Sequence, residues 1–153
     1  MRIVVKVGTS TLAHSTGRLN IRHTEELVKV LSDLKNAGHE VILVSSGAIG
    51  MGVGKLSLSA RPTDMSSKQA CAAVGQCELM YTYDRLFSAY DHTVAQILLT
   101  GVDIEHASRR ENIQGAHLPW CIKPEIIIYT LSPTTLDITR LLTSISKADE
   151  CLP

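Results

Sequence analysis

"VILVSSGAIGMGVGKL", Val41 to Leu56, opens as an apolar, β-branched run and then changes character within two residues. With Glu40 before it, "EVILVSS", Glu40 to Ser46, reads as a strand buried on both faces, the pattern of a parallel sheet. Ser45 and Ser46 end it, and glycines follow at 47, 50, 52 and 54. Three patterns can be tested against these residues. A Walker A loop requires G-x-x-x-x-G-K-[ST]; with Gly54-Lys55 as its GK pair, Ile49 stands at the first glycine and Leu56 at the magnesium-holding hydroxyl. A dinucleotide fingerprint requires G-x-G-x-x-G, whereas Gly50, Gly52 and Gly54 give G-x-G-x-G, and no acidic ribose partner is evident about 20 residues on. This makes a nicotinamide-dependent oxidoreductase the weakest reading. A G-x-S-x-G nucleophile elbow is absent, so neither serine reads as a hydrolase nucleophile. What remains is a strand running into two hydroxyls and a glycine. Such a loop is either a connector or a place where backbone N–H groups converge on an anion.

The flanking sequence supplies the frame. "IVVKV", Ile3 to Val7, is a second buried strand, and "GTST" after it reads as a turn. Ile21 to Asn36 has helical periodicity with Leu27, Val30, Leu31 and Leu34 on one face, Thr24 as N-cap and "NAG" as the stop. The glycine-rich stretch leads through a polar loop containing Pro62 to a helix over about Ser67 to Ala89, with Val74, Leu79, Tyr83, Leu86, Phe87 and Tyr90 on its apolar face. "TVAQILLT", Thr93 to Thr100, is a third strand, and "VDIEHASRRENIQGA" a helix. The β-α-β-α-β-α order predicts an α/β fold with a mainly parallel sheet and right-handed crossovers. Ligands in such sheets bind beyond the carboxyl ends of the strands. Gly8 and the run from Gly47 both leave such ends, so they are expected to face one crevice.

Composition narrows the function classes. The chain has 153 residues, 44% apolar and 20% charged, with 15 basic and 15 acidic side chains. This is a soluble, globular balance that points to neither a nucleic acid nor an anionic membrane as partner. No apolar run reaches the roughly 20 residues of a membrane span, and "MRIVVKVG" reads as a strand rather than a signal peptide. The four cysteines form no C-x-x-C pair and read as free, buried thiols; the six histidines lack metal-ligand spacing.

Lys6 stands in the otherwise apolar first strand, two residues before Gly8. A lysine there either snorkels to the sheet's edge or reaches an anion. A fixed cation at a strand end suits phosphoryl transfer, where the protein mainly positions reactants and neutralises charge.

"RIVVKVGTSTL", "VILVSSGAIGMGVGKL", "KQACAAVGQCELMYTYDRLF" and "TVAQILLT" together resemble the N-terminal part of the glutamate 5-kinase family, within the amino acid kinase superfamily. The resemblance covers roughly residues 1 to 115. It implies a three-layer α/β/α fold with a mainly parallel sheet, here incomplete. It also implies ATP-dependent phosphorylation of the γ-carboxylate of L-glutamate, with Mg2+, in the cytoplasm, as the first step of proline synthesis, by an enzyme that is homo-oligomeric when intact. Carried over by position, Lys6 is the catalytic residue that contacts the transferring phosphate. Gly8 and Thr9 lie along the phosphates of ATP, Ser46 binds the substrate glutamate, and Gly47 and Ala48 give it backbone contacts.

Residues 116–153 depart from the family. The I-N-E-N-D and G-D-N-D-x-L-S-A elements that would supply an Asp and an Asn to the glutamate are missing, and so is the adenine-binding half. The expectation is therefore an N-terminal substrate-binding part over 1–115 and a divergent tail over 116–153, truncated or frameshifted. Little or no kinase activity is expected from the chain alone, and the strand edge left by the missing elements favours self-association. Two other readings stay open: a non-catalytic glutamate-binding or assembly fragment, and a superfamily kinase with another acceptor. Within the tail, "EIIIYTL" reads as a fourth strand and "LDITRLLTSIS" as a short helix.

Overall fold

The structure, a computed structural model, describes residues 1–14, 16, 18–100, 103, 106, 108–109 and 126–131. Its elements are β1 (Arg2–Val7), α1 (Thr9–Leu12), α2 (Ile21–Asn36), β2 (Glu40–Ser45), α3 (Ala48–Lys55), α4 (Met65–Ser88), β3 (Val94–Leu99) and β4 (Ile126–Leu131). The strands form one parallel sheet in the order β1-β2-β4-β3. The α/β class and the parallel sheet are as the sequence predicts.

β2 is the strand whose composition is most continuous, and Val41 to Ser45 are all buried. It pairs with β1 on one side, Val7 opposite Ser45, and with β4 on the other, Val41 opposite Ile126. β4 lies between β2 and β3 although it is the last strand in sequence, and Ile126 and Ile128 are fully buried. The predicted fourth strand thus holds an interior place in the sheet. The helices predicted in "VDIEHASRRENIQGA" and "LDITRLLTSIS" lie largely or wholly outside the described residues.

Several local readings change. "GTST" contains a single helical turn, Thr9–Leu12, which buries Leu12 completely. The N-cap of α2 is Asn20, whose side chain accepts from the His23 N–H at 3.2 Å; Thr24 lies one turn inside and donates its hydroxyl to the Asn20 carbonyl at 2.8 Å. The buried stripe of α2 runs through Thr24, Val28 and Leu31, at i, i+4 and i+7, which leaves Val30 56% exposed. Gly38, at φ 86°, takes the left-handed position behind the helix that "NAG" predicts. α4 starts at Met65 because Asp64 caps it, accepting from the Ser67 N–H at 2.8 Å. Leu79, Tyr83 and Phe87 point inward from α4, while Val74 and Tyr90 are exposed.

The largest revision concerns the glycine-rich stretch. It is helix α3, packed against α4 with the two backbones touching. A Cβ on Gly52 would sit 1.9 Å from the Cys71 carbonyl oxygen, and one on Gly75 would sit 1.9 Å from the Ala48 carbonyl oxygen. Only glycine fits at either point, so these residues serve helix packing. The core behind them joins Val7, Leu12, Val28, Leu43, Met51 and Leu79 with Tyr83, Phe87, Ile126 and Ile128. Cys71 is a buried free thiol as expected, whereas Cys77, six residues on along α4 and on a different face, is free but exposed; Cys121 and Cys151 lie outside the described residues.

Candidate functional site

The carboxyl ends of β1 and β2 are adjacent strand ends in parallel register, Lys6 opposite Val44 and Val7 opposite Ser45. The chain leaves β1 through Gly8 into α1, and leaves β2 through Ser46 and Gly47 into α3. The two exits are tied together. The Ser46 N–H and the Ser46 hydroxyl both donate to the Val7 carbonyl at 3.2 Å, and the Thr9 hydroxyl donates to the Ser46 carbonyl. Lys6, Gly8, Thr9, Ser46, Gly47 and Ala48 therefore gather at one end of the sheet, as the shared crevice requires.

Each residue has a defined setting. Lys6 is exposed, not buried as its apolar neighbours imply, although Val7 after it is buried. Its ammonium has no ion-pair or hydrogen-bond partner among the described residues. A Cβ placed on Gly8 would stand 3.9 Å from both the Lys6 Nζ and the Ser10 Oγ, so the ammonium hangs over the start of α1. An unpaired cation at a strand end fits a phosphate oxygen. Thr9, expected along the phosphates, spends its hydroxyl hydrogen on Ser46. Ser46 is half-buried; with its hydrogen given to Val7, its oxygen keeps lone pairs for a donor. Gly47 is the N-cap residue of α3, and the first intrahelical bond runs from the Met51 N–H to the Gly47 carbonyl at 3.0 Å. The N–H groups of Ala48, Ile49 and Gly50 precede that bond and have no partner inside the helix.

Beneath the site lies a polar contact that the sequence reading missed. Ser45 Oγ and the Tyr83 hydroxyl are 3.1 Å apart and both residues are buried. Burial pushes the Tyr83 phenol from its ordinary value near 10 up to about 12, against the opposing pull of the Ser45 hydrogen bond. This contact holds the end of β2 to α4, directly behind Ser46. A tyrosine on the apolar stripe of a helix, at a position that reads as core, gives the only sequence signal for it. Beside Thr9, a cavity of about 710 Å³ opens between α1, α3 and the connection after α3.

Among the described residues, no group of three or more His, Cys, Asp or Glu side chains gathers for a metal ion. No described helix is long and apolar enough to cross a membrane.

Comparison with known proteins matches the sequence to a family. The amino acid kinase family model aligns with residues 1–143. The chain is 54% identical over 112 residues to a glutamate 5-kinase of Clostridium perfringens, covering 73% of this chain and 42% of that protein. It is 54% identical over 114 residues to a glutamate 5-kinase of Listeria welshimeri, covering 74% and 41%. With the glutamate 5-kinase of Enterococcus faecalis the identity is 53% over 112 residues, covering 73% and 41%. The chain thus spans about two fifths of the length of the curated relatives it matches. The parallel sheet, the joined strand ends and a family match over most of the chain lead to one assignment: this chain belongs to the amino acid kinase family.

Proposed function

We propose that the chain carries the acceptor side of a kinase that transfers the γ-phosphoryl group of ATP to the γ-carboxylate of L-glutamate, in the cytoplasm, as the opening step of proline synthesis. The observation that carries this reading is the junction at the sheet end, where the Lys6 ammonium, unpartnered among the described residues, hangs over the start of α1 while the neighbouring strand β2 exits through Ser46 and Gly47. The relatives named above, all glutamate 5-kinases, support glutamate as acceptor.

The residues divide the work. A carboxylate is already ionised at neutral pH, so no general base is required to create the nucleophile. Ser46 and the free N–H groups after Gly47 orient the amino acid. Its γ-carboxylate oxygen forms a bond to the γ-phosphorus of ATP as the bridging P–O bond breaks and ADP departs. Lys6, with Gly8 and Thr9 shaping the turn beneath it, neutralises charge on the equatorial oxygens. Rate then depends on in-line alignment more than on proton transfer. Mg2+ would accompany ATP on its phosphates.

The boundary near residue 115, with a divergent tail after it, belongs to the same proposal.

Thermal-shift measurements separate the acceptors. L-glutamate is expected to raise the melting temperature, with L-aspartate, N-acetyl-L-glutamate and uridylate giving no comparable rise. A rise with uridylate alone would replace glutamate as acceptor. With ATP, magnesium and hydroxylamine added, the chain alone is expected to form little or no γ-glutamyl hydroxamate.

A further inference from the structure

Helix α4 meets the loop that leaves β2 with three residues spaced one turn apart. Gly75, Leu79 and Tyr83 stand at i, i+4 and i+8 on one buried face of α4. The Tyr83 hydroxyl lies 3.1 Å from Ser45 Oγ. A Cβ on Gly47 would stand 3.6 Å from Leu79 Cδ2 and 3.3 Å from Leu12 Cδ1, so Gly47 is held between α4 and α1. A Cβ on Gly75 would lie 1.9 Å from the Ala48 carbonyl oxygen. Ser45, Gly47 and Ala48 therefore each rest on a successive turn of α4. From the side of β1, the Ser46 N–H and hydroxyl both bond the Val7 carbonyl. The contacts at Leu79 and Gly75 are steric, whereas the one at Tyr83 is directional.

A buried hydroxyl pair is an inefficient source of stability. Both groups give up water, and the bond they make in exchange returns little net free energy. What such a pair supplies is direction, because a hydrogen bond weakens steeply as it is misaligned, while an apolar ring in the same slot tolerates sliding. Ser45 and Tyr83 are 1% and 0% exposed, so bulk water does not compete for their bond. The Tyr83 ring is itself fixed by Phe87 one turn on, with centroids 6.3 Å apart and planes inclined at 35°. Ser45 is the last residue of β2, paired with Val7 on one side and Thr130 on the other, and Ser46 follows it directly. We propose that Tyr83 is a positioning residue: through Ser45 its hydroxyl fixes the direction in which the chain leaves β2, and so aims Ser46 and the N–H groups after Gly47 at the acceptor. Tyr83 touches no ligand itself. That the acceptor is L-glutamate rests on the reading proposed above.

The test compares the full chain with Tyr83→Phe, Ser45→Ala and the double variant. Each single variant strands one buried hydroxyl, and the double variant removes both, so its denaturation midpoint should move back toward that of the parent. A positioning role predicts that the loop does not recover with it. The Ser46 amide, bonded to the Val7 carbonyl in the parent, should exchange with solvent about tenfold faster in the double variant. Exchange is read as a ratio to the Leu43 amide, deep in the same strand, so that any global loss of stability cancels. L-glutamate, followed by the amide shifts of Ser46 to Ala48, should bind about three- to tenfold more weakly in all three variants, the loss of one hydrogen bond counted once. A merely structural role predicts that exchange and affinity both return to the parent values in the double variant. Either return overturns the proposal. The glutamate reading fails separately. If L-glutamate leaves Ser46 to Ala48 unmoved in the parent, that reading is lost; faster Ser46 exchange in the double variant then still supports the positioning role, and unchanged exchange overturns it.

Discussion

Tyr83 and Ser45 show how much a single buried contact decides. Their hydroxyls meet at 3.1 Å in the core, next to Ser46, the residue proposed to hold the acceptor. Replacing Tyr83 by Phe strands the Ser45 hydroxyl, and chemical unfolding should report a loss of about 1–3 kcal/mol. Ser45→Ala in the same background should recover part of it, because both polar partners are then gone. The phenol also imposes a pH dependence. Its folded pKa, about 12, lies above the ordinary tyrosine value near 10, so the folded state holds the proton more tightly. The contribution is complete below about pH 10 and is lost as pH rises toward about 12. Tyr83→Phe should lack that alkaline decline. At this scale the sequence was partly legible. Ser46 and Lys6 stand out because hydroxyls and a cation interrupt apolar strands. Tyr83 did not, because an aromatic at a core position looks the same whether or not its hydroxyl has a partner.

At the scale of elements, α3 was the least readable. Glycines at 50, 52 and 54 carry low helix propensity, and a reader of local sequence predicts a loop. The helix exists because α4 lies against it, closely enough that backbone meets backbone at Gly52 and Gly75. Tertiary packing overrides propensity here, and the partner glycine lies in another helix where no local pattern reveals it. The consequence is testable. Gly75→Ala raises the intrinsic propensity of α4 yet places a Cβ 1.9 Å from the Ala48 carbonyl oxygen, a backbone atom that cannot turn aside. Denaturant unfolding should show destabilisation of about 1–3 kcal/mol or more. Because Ala48 leads out of the loop proposed to hold the acceptor, glutamate binding is expected to weaken as well. A stabilised Gly75→Ala variant would show that α3 and α4 pack less closely than described. The strands, in contrast, were readable to within a residue or two, since apolar runs bounded by glycine and serine specify buried parallel strands.

At the scale of the molecule, topology brings the site together. β1 and β2 are distant in sequence, and only their parallel pairing places the Gly8 and Gly47 exits side by side. That convergence was legible from the β-α-β order alone. The interior place of β4 was not, because strand order in a parallel sheet depends on crossovers that local sequence does not encode. The central claim is that the acceptor loop is already formed in this chain. The most direct measurement is the amide spectrum of the full chain titrated with L-glutamate, in the parent and in Ser46→Ala. Saturable shifts at Ser46, Gly47 and Ala48, weakened about tenfold or more in Ser46→Ala, are the predicted result. Unmoved resonances at these three residues at millimolar L-glutamate, or identical binding by Ser46→Ala, would contradict it.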